Sequence, residues 1–285
     1  MQVELEQVTT DDGILLSGAF FKAWGERLSS IDALVFFHGD GGHFYHPLYL
    51  GLGEALAARG IHCLLANRRG HDLVAHGTEH GPLAGYAFES VADSVSDFRA
   101  WLQLMAARRC ERVAIGGHSG GAVRAVYAKV NGAGSKISAV VSISPGEYRH
   151  ETVLEQHADA FREAFDCAQQ DIADGVPETL RVPGLPWGSM WSSGAYVDCF
   201  NRDDRYSVSA HAAKTDCPTL FVFGARECDG PERLPVCDAA RARIADANYA
   251  HVTLQVISNA NHGYDGEAHR LYTLVGDWLQ GIGES

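Results

Sequence analysis

The stretch "VAIGGHSGGAVRAVYAKV", residues 113–130, constrains the fold of this chain more than any other. Val113-Ala114-Ile115 is an apolar run suited to a buried strand, and Ala122 to Val130 reads as a helix. Between them stands one serine, Ser119, with Gly117 and Gly121 two residues to either side. Gly117-His118-Ser119-Gly120-Gly121 thus fits G-x-S-x-G in a strand–turn–helix context. In such an elbow the serine takes a strained backbone conformation, and small neighbours let strand and helix pack closely. The hydroxyl stands exposed at a helix N-terminus, where the free amide of Gly120 can face a developing oxyanion. The bland alternative is a glycine-rich turn without chemistry.

Around this elbow, strand-like and helix-like stretches alternate. Val3 to Val8 and Ile14 to Phe21 suggest two strands joined by a turn at Asp11-Asp12-Gly13. Ala33-Leu34-Val35-Phe36-Phe37 is a short continuous apolar run, as expected of a strand covered on both faces. A helix from Pro47 to Arg59 follows, ended by Gly60, and then a strand at His62 to Ala66. From Phe88 to Ala107, Val91, Val95, Phe98, Leu102 and Met105 recur at steps of four and three, a helical stripe. Ala139 to Ile143, Thr219 to Phe223 and Val252 to Ile257 complete the strands, with helices over Pro231 to Ala247 and Glu267 to Leu279. The alternation predicts one α/β domain with a mostly parallel sheet and helices on both faces.

One segment breaks the rhythm. Between Ile143 and Thr219 lie a helical stretch, Glu151 to Ala173, and the irregular "VPGLPWGSMWSSGAYVDCF". A connection that long usually has a function. It reads as a cap inserted after the sixth strand, at about 146–216. Its Trp187, Met190, Trp191 and Tyr196 are mixed with Gly, Ser and Pro without helical or strand period. An aromatic cap fits, with Trp187 and Trp191 as substrate-binding residues, and so does a satellite hydrophobic cluster. Glu89, placed at the start of the Phe88 helix, has the plain role of favouring the helix dipole.

Taken with two further motifs, the elbow resembles the α/β-hydrolase superfamily over essentially the whole chain. His38-Gly39-Asp40-Gly41-Gly42 is similar to the superfamily's oxyanion loop, and Asn67-Arg68-Arg69-Gly70-His71 to its R-G-H turn. The resemblance implies an eight-stranded sheet and a triad in chain order Ser, Asp/Glu, His. On that order His262 in "SNANHGYDG", after the last strand, takes the proton of Ser119. The acid follows the seventh strand in "TLFVFGARECDG". Counting Gly-x-x-acid from Gly224 gives Glu227, with Asp229 as the competitor. The oxyanion donors are the backbone N–H groups of Asp40 and Gly120. The Asp40 carboxylate must then point away, because a negative group facing the oxyanion opposes catalysis.

Acidic residues outnumber basic ones by 36 to 23, and the net charge of −13 disfavours nucleic acid or an anionic membrane as partner. No apolar stretch approaches a membrane span, and "MQVELEQVTTDDG" lacks the basic and apolar regions of a signal peptide. The seven cysteines are scattered without a C-x-x-C pair, which reads as reduced thiols in a cytoplasmic protein, with Cys63 a core filler. His38, His43, His46, His71, His76 and His80 crowd two loops, yet without H-x-H or H-E-x-x-H spacing, so no metal and no cofactor is expected. The leading reading is a serine hydrolase acting on an ester, thioester or related acyl bond of a small, fairly apolar substrate. A carbon–carbon bond hydrolase or lyase on the same triad, and a ligand-binding member without turnover, are the alternatives. A homo-oligomer stays open.

Overall fold

Ala33–Phe37 (β3) is buried at every position, and its residues divide by parity. Val35 and Phe37 join one hydrophobic core, Leu34 and Phe36 the other. A strand sends successive side chains to opposite faces, so a wholly apolar strand must be covered on both. The structure, a computed structural model, describes residues 2–76, 81–134 and 137–283.

Eight strands form the central sheet. They are β1 (Glu4–Thr9), β2 (Leu15–Phe21), β3, β4 (His62–Ala66), β5 (Val113–His118), β6 (Ile137–Ile143), β7 (Thr219–Gly224) and β8 (Val252–Ile257). Their spatial order is β1-β2-β4-β3-β5-β6-β7-β8. The β1–β2 and β2–β4 pairs are antiparallel and the other pairs parallel. On one face lie α1 (Pro47–Ala57) and α9 (Ala268–Gly281), which bury Leu52, Leu56, Leu271 and Val275 against Leu34, Leu65 and Val141. The opposite face carries α2 (Ser94–Ala107), α3 (Gly120–Val130) and α8 (Pro235–Ala247), with Phe98, Trp101, Val126 and Ile244 against Val35, Ile115 and Phe221. This is the α/β-hydrolase fold with its mostly parallel sheet.

The boundaries that differ most from the sequence reading lie at the start of α2, before the serine and after the acid. The helix expected from Phe88 begins only at Val91, because the Ser90 side chain caps it, accepting from Ala92 N–H at 3.1 Å while Asp93 returns a bond to Ser90 N–H. The strand before Ser119 runs through Gly116 and Gly117 to His118, registered against Phe36–Phe37 and Val141–Ile143. Helix α8 starts at Pro235, which stands at its first turn, and a separate short helix α7 (Ala225–Cys228) precedes it.

Much of residues 150–200 packs as a layer beyond the sheet and its helices. It holds α4 (His150–Ala173), a two-residue strand pair Leu180–Arg181 with Trp191–Ser192, and α5 (Ser193–Cys199), whereas α6 (Val208–Ala212) buries Val208 and Ala212 in the core on the α3 face of the sheet. Phe161, Phe165, Trp191, Tyr196, Phe200 and Tyr206 form a third core that includes Val123 and Tyr127 of α3. The aromatic residues without period in the sequence are therefore largely a core, seated on the helix that follows Ser119. All seven cysteines are free, and Cys63 is buried in β4. Among the described residues no helix is long and apolar enough to cross a membrane.

Candidate active site

Ser119 has φ 54° and ψ −123°, a strained region for a residue with a Cβ. The turn is possible because its flanks are glycines. A Cβ on Gly117 would meet the Gly121 backbone at 2.4 Å, and one on Gly121 would meet the His38 carbonyl oxygen at 2.4 Å. Ser119 N–H donates to the Ile143 carbonyl at 2.8 Å, and its own carbonyl accepts from Ala122 N–H at 3.0 Å. Strand, turn and helix are thus clamped around one hydroxyl.

His262 lies in the loop after β8. Its Nε2 stands 3.0 Å from Ser119 Oγ and its Nδ1 2.6 Å from Glu227 Oε2. Glu227 is fully buried at the third position of α7. Its Oε1 accepts from Gly224 N–H at 2.7 Å and from the Ser144 hydroxyl at 2.6 Å. The one turn of α7 withdraws the backbone far enough for the longer glutamate side chain to fold back over β7 and still reach the imidazole. Asp229, the competitor, is exposed at the end of α7.

Two further residues, absent from the sequence reading, hold this set. Ser144 follows β6 directly and has φ 51°; its hydroxyl also meets Tyr264 OH at 2.8 Å. His118 is 7% exposed, and its Nε2 lies 2.8 Å from the His262 carbonyl oxygen. A carbonyl only accepts, so Nε2 carries the proton and Nδ1 accepts from Tyr49 OH at 3.0 Å. Tyr49 OH in turn accepts from Gly39 N–H at 3.2 Å. One relay therefore ties the Gly39 loop, α1, β5 and the His262 loop together. The only sequence signal for His118 is its place before the serine at a strand end.

Burial pushes His118 down to about 3, helped by the neighbouring His262 ring. Burial, then Arg68, holds His38 well below its ordinary value. In the unfolded chain both rings protonate near pH 6.5, so below that pH the unfolded state binds more protons. Stability therefore falls with falling pH, by up to about 1.4 kcal/mol per pH unit for each ring. Urea titrations from about pH 7 down to pH 4 are expected to show this decline, with a shallower slope in His118→Gln. An unchanged slope in that variant would remove His118 from the account.

Asp40 and Glu89 meet two buried arginines. Arg68 pairs with Glu89 and donates from Nη2 to Asp40 Oδ1 at 2.8 Å. Arg124 of α3 donates to Glu89 Oε1 at 2.5 Å and to Asp40 Oδ1 at 3.3 Å. Glu89 is thus a buried ionic bridge rather than a helix-dipole residue. Gly70 of the R-G-H turn exists for this bridge, since a Cβ there would lie 2.1 Å from the Arg68 guanidinium and from the Glu89 carboxylate. The Asp40 carboxylate does not point away from the elbow. Its Oδ1 would lie 1.9 Å from a Cβ on Gly120, and its Oδ2 accepts from Tyr148 OH at 3.1 Å.

A cavity of about 460 Å³ opens over Ser119 and His262. Apolar walls come from Tyr148, Pro186, Trp187, Leu234 and Val236, and polar points from Asp40 and His46. Trp187 lines it and donates its Nε1–H to Tyr86 OH at 2.8 Å. Trp191 does not. It is 2% exposed and packs behind Trp187, with ring centroids 5.9 Å apart, because the third core claims it.

Among the described residues the loop histidines do not converge. His38 is buried on Gly39 O, His43 stacks on Tyr45, His46 caps α1, His71 pairs with Asp72, and His76 meets Gly81 O. His80 lies outside the described residues. Among the described residues, Glu227, Cys237 and His262 bring possible ligand atoms within 4.8 Å of one another. A cation there would have to break the 2.6 Å bond between His262 and Glu227.

A family model described as "Alpha/beta hydrolase family" matches residues 34–272. Sequence comparison with curated proteins finds no match. Among solved structures, the chain is similar to the alpha/beta hydrolase GrgF from Penicillium sp. sh18, with a TM-score of 0.72, 14% identity and 98% of each chain covered. A soluble variant of monoglyceride lipase from Saccharomyces cerevisiae, in complex with a substrate analogue, has a TM-score of 0.69 at 15% identity, covering 98% of this chain and 96% of that one. Est1E from Butyrivibrio proteoclasticus, bound to ferulic acid, has a TM-score of 0.64 at 18% identity, covering 96% and 97%.

Proposed function

Since the chain belongs to the alpha/beta hydrolase family, we propose that it is a serine hydrolase cleaving an ester, thioester or related acyl bond through an acyl-enzyme. The observation that carries this reading is the unbroken relay Ser119–His262–Glu227, with bonds of 3.0 and 2.6 Å, at the floor of a cavity. Est1E and monoglyceride lipase, which share the fold, lend it support by their names.

In this reading Ser119 Oγ attacks the carbonyl carbon while His262 Nε2 takes its proton. Glu227 holds the Nδ1–H tautomer and stabilises the imidazolium, and the protonated ring then returns its proton to the leaving group. The amides of Asp40 and Gly120 receive the oxyanion, and the charge of the Asp40 carboxylate, which faces the elbow, is answered by Arg68 and Arg124. A water, deprotonated by His262, attacks the acyl-enzyme and releases the acid. The insertion at about 146–216 acts as the cap, and the apolar walls select a small, fairly apolar substrate.

Treatment with a fluorophosphonate is expected to label one residue per chain, Ser119, and to abolish multiple-turnover hydrolysis of short acyl esters in proportion. Labelling elsewhere, or turnover surviving full labelling, would overturn the reading. Trp187→Ala is expected to weaken binding of bulky acyl esters by about tenfold and of acetyl esters little, since the lost apolar surface matters only where substrate reaches it. Trp191→Ala instead removes core, lowering stability by about 3–5 kcal/mol whatever the substrate. Michaelis constants across an acyl series and thermal melts of both variants separate the two effects.

A further inference from the structure

Asp40 poses a problem of sign. A carboxylate next to the place where negative charge develops opposes that charge, yet Asp40 Oδ1 is packed against Gly120, the residue after the nucleophile. Arg68 and Arg124 lie against it, but Glu89 bonds to both guanidiniums, so the four groups together are formally neutral. The arginines answer the charge of Asp40 without leaving a surplus.

The hydrogen-bond inventory is less complete. A carboxylate offers about four lone-pair directions. At Asp40 Oδ1, two are taken by Arg68 and Arg124. Oδ2 accepts one bond, from Tyr148 OH at 3.1 Å. The Asp40 side chain keeps 14% of its surface open, and Asp40 lines the cavity. Among the described residues no fourth donor reaches the carboxylate, which leaves one acceptor direction in a largely apolar chamber. Water can fill it when the cavity is empty, and an apolar ligand would displace that water without replacing its bond.

We propose that Asp40 Oδ2 is a specificity contact that accepts a hydrogen bond from a substrate hydroxyl close to the scissile carbonyl. The inference rests on Ser119 as nucleophile. A hydroxyl fits better than an ammonium, because a further cation would leave the neutral buried quartet with an excess positive charge. The contact of Asp40 with the residue next to Ser119 places that hydroxyl within a few bonds of the carbonyl, on the acyl or the alcohol side. Acyl groups carrying their own carboxylate there are rejected.

The test compares matched substrates on the wild-type chain. One pair is ethyl 3-hydroxybutyrate and ethyl butyrate; the other is 2-hydroxyethyl butyrate and ethyl butyrate. In one of the two pairs the hydroxylated ester is expected to have kcat/KM about ten- to hundredfold higher, and which pair it is assigns the side. Asp40→Ala, which removes the acceptor altogether, should bring that ratio close to one. Calorimetric binding of the same esters to Ser119→Ala reads the contact without turnover and without disturbing the arginines. A failed labelling of Ser119 would therefore sink the catalytic reading, whereas equal affinity and equal kcat/KM in both pairs would overturn this one.

Discussion

Ser119→Ala is expected to lower kcat for acyl-ester hydrolysis by about 10⁶-fold, the scale on which a member of such a unit is lost. The folded state should survive, because the Ser119 backbone is clamped by Ile143 and Ala122 and, among the described residues, its Oγ bonds only to His262. Among the described residues no second nucleophile stands ready. Cys237 lines the same cavity, but burial pushes its thiol well above the ordinary value, and its Sγ faces the Ser144 carbonyl at 3.7 Å. Steady-state turnover and pre-steady-state acyl bursts check this. Turnover near wild type in Ser119→Ala would end the serine assignment.

Glu227→Gln is expected to lower kcat by about 10³- to 10⁴-fold with little change in fold. The reason lies on the far side of the carboxylate. Oε1 accepts from Gly224 N–H, which can only donate, so an amide at this position must turn its oxygen there. Its N–H2 then faces His262 Nδ1 in place of Oε2, and the imidazole has to move its proton to Nε2, where Ser119 needs a base. Asp229→Asn, on an exposed side chain, should change kcat by a factor of two at most. The opposite ranking would move the acid by two residues and leave Ser119 and His262 in place.

Much of this was legible in the sequence because its causes are local. Continuous apolar runs such as Ala33–Phe37 can only be doubly covered strands, and the glycines around Ser119 mark where strand and helix nearly touch. The Gly-x-x-acid count lands on the carboxylate that lies 2.6 Å from His262 because α7 is a single turn that starts at the strand end. What escaped was non-local. Ser144 and His118 bond to residues more than 80 positions away, and nothing in their neighbours announces that. Glu89 looked like a helix-start residue because its partners, Arg68 and Arg124, come from other elements. Trp191 looked like a pocket wall because an irregular segment hides its periodicity. Only the third core explains it.

The buried quartet of Asp40, Arg68, Glu89 and Arg124 also restricts how this protein can change. Its members come from four separate stretches of chain, yet each arginine is shared by both acids. Replacing one acid strands charge in the interior, a loss of about 3–5 kcal/mol, whereas replacing all four by apolar residues of matching volume can be nearly neutral. Single-site scans will therefore make each position look indispensable, and double-mutant cycles among them will be strongly non-additive. A His38–Gly42 loop grafted from another member of the fold will be tolerated only if positions 68, 89 and 124 travel with it. The four positions behave as one inherited block, spread over 85 residues of sequence between Asp40 and Arg124.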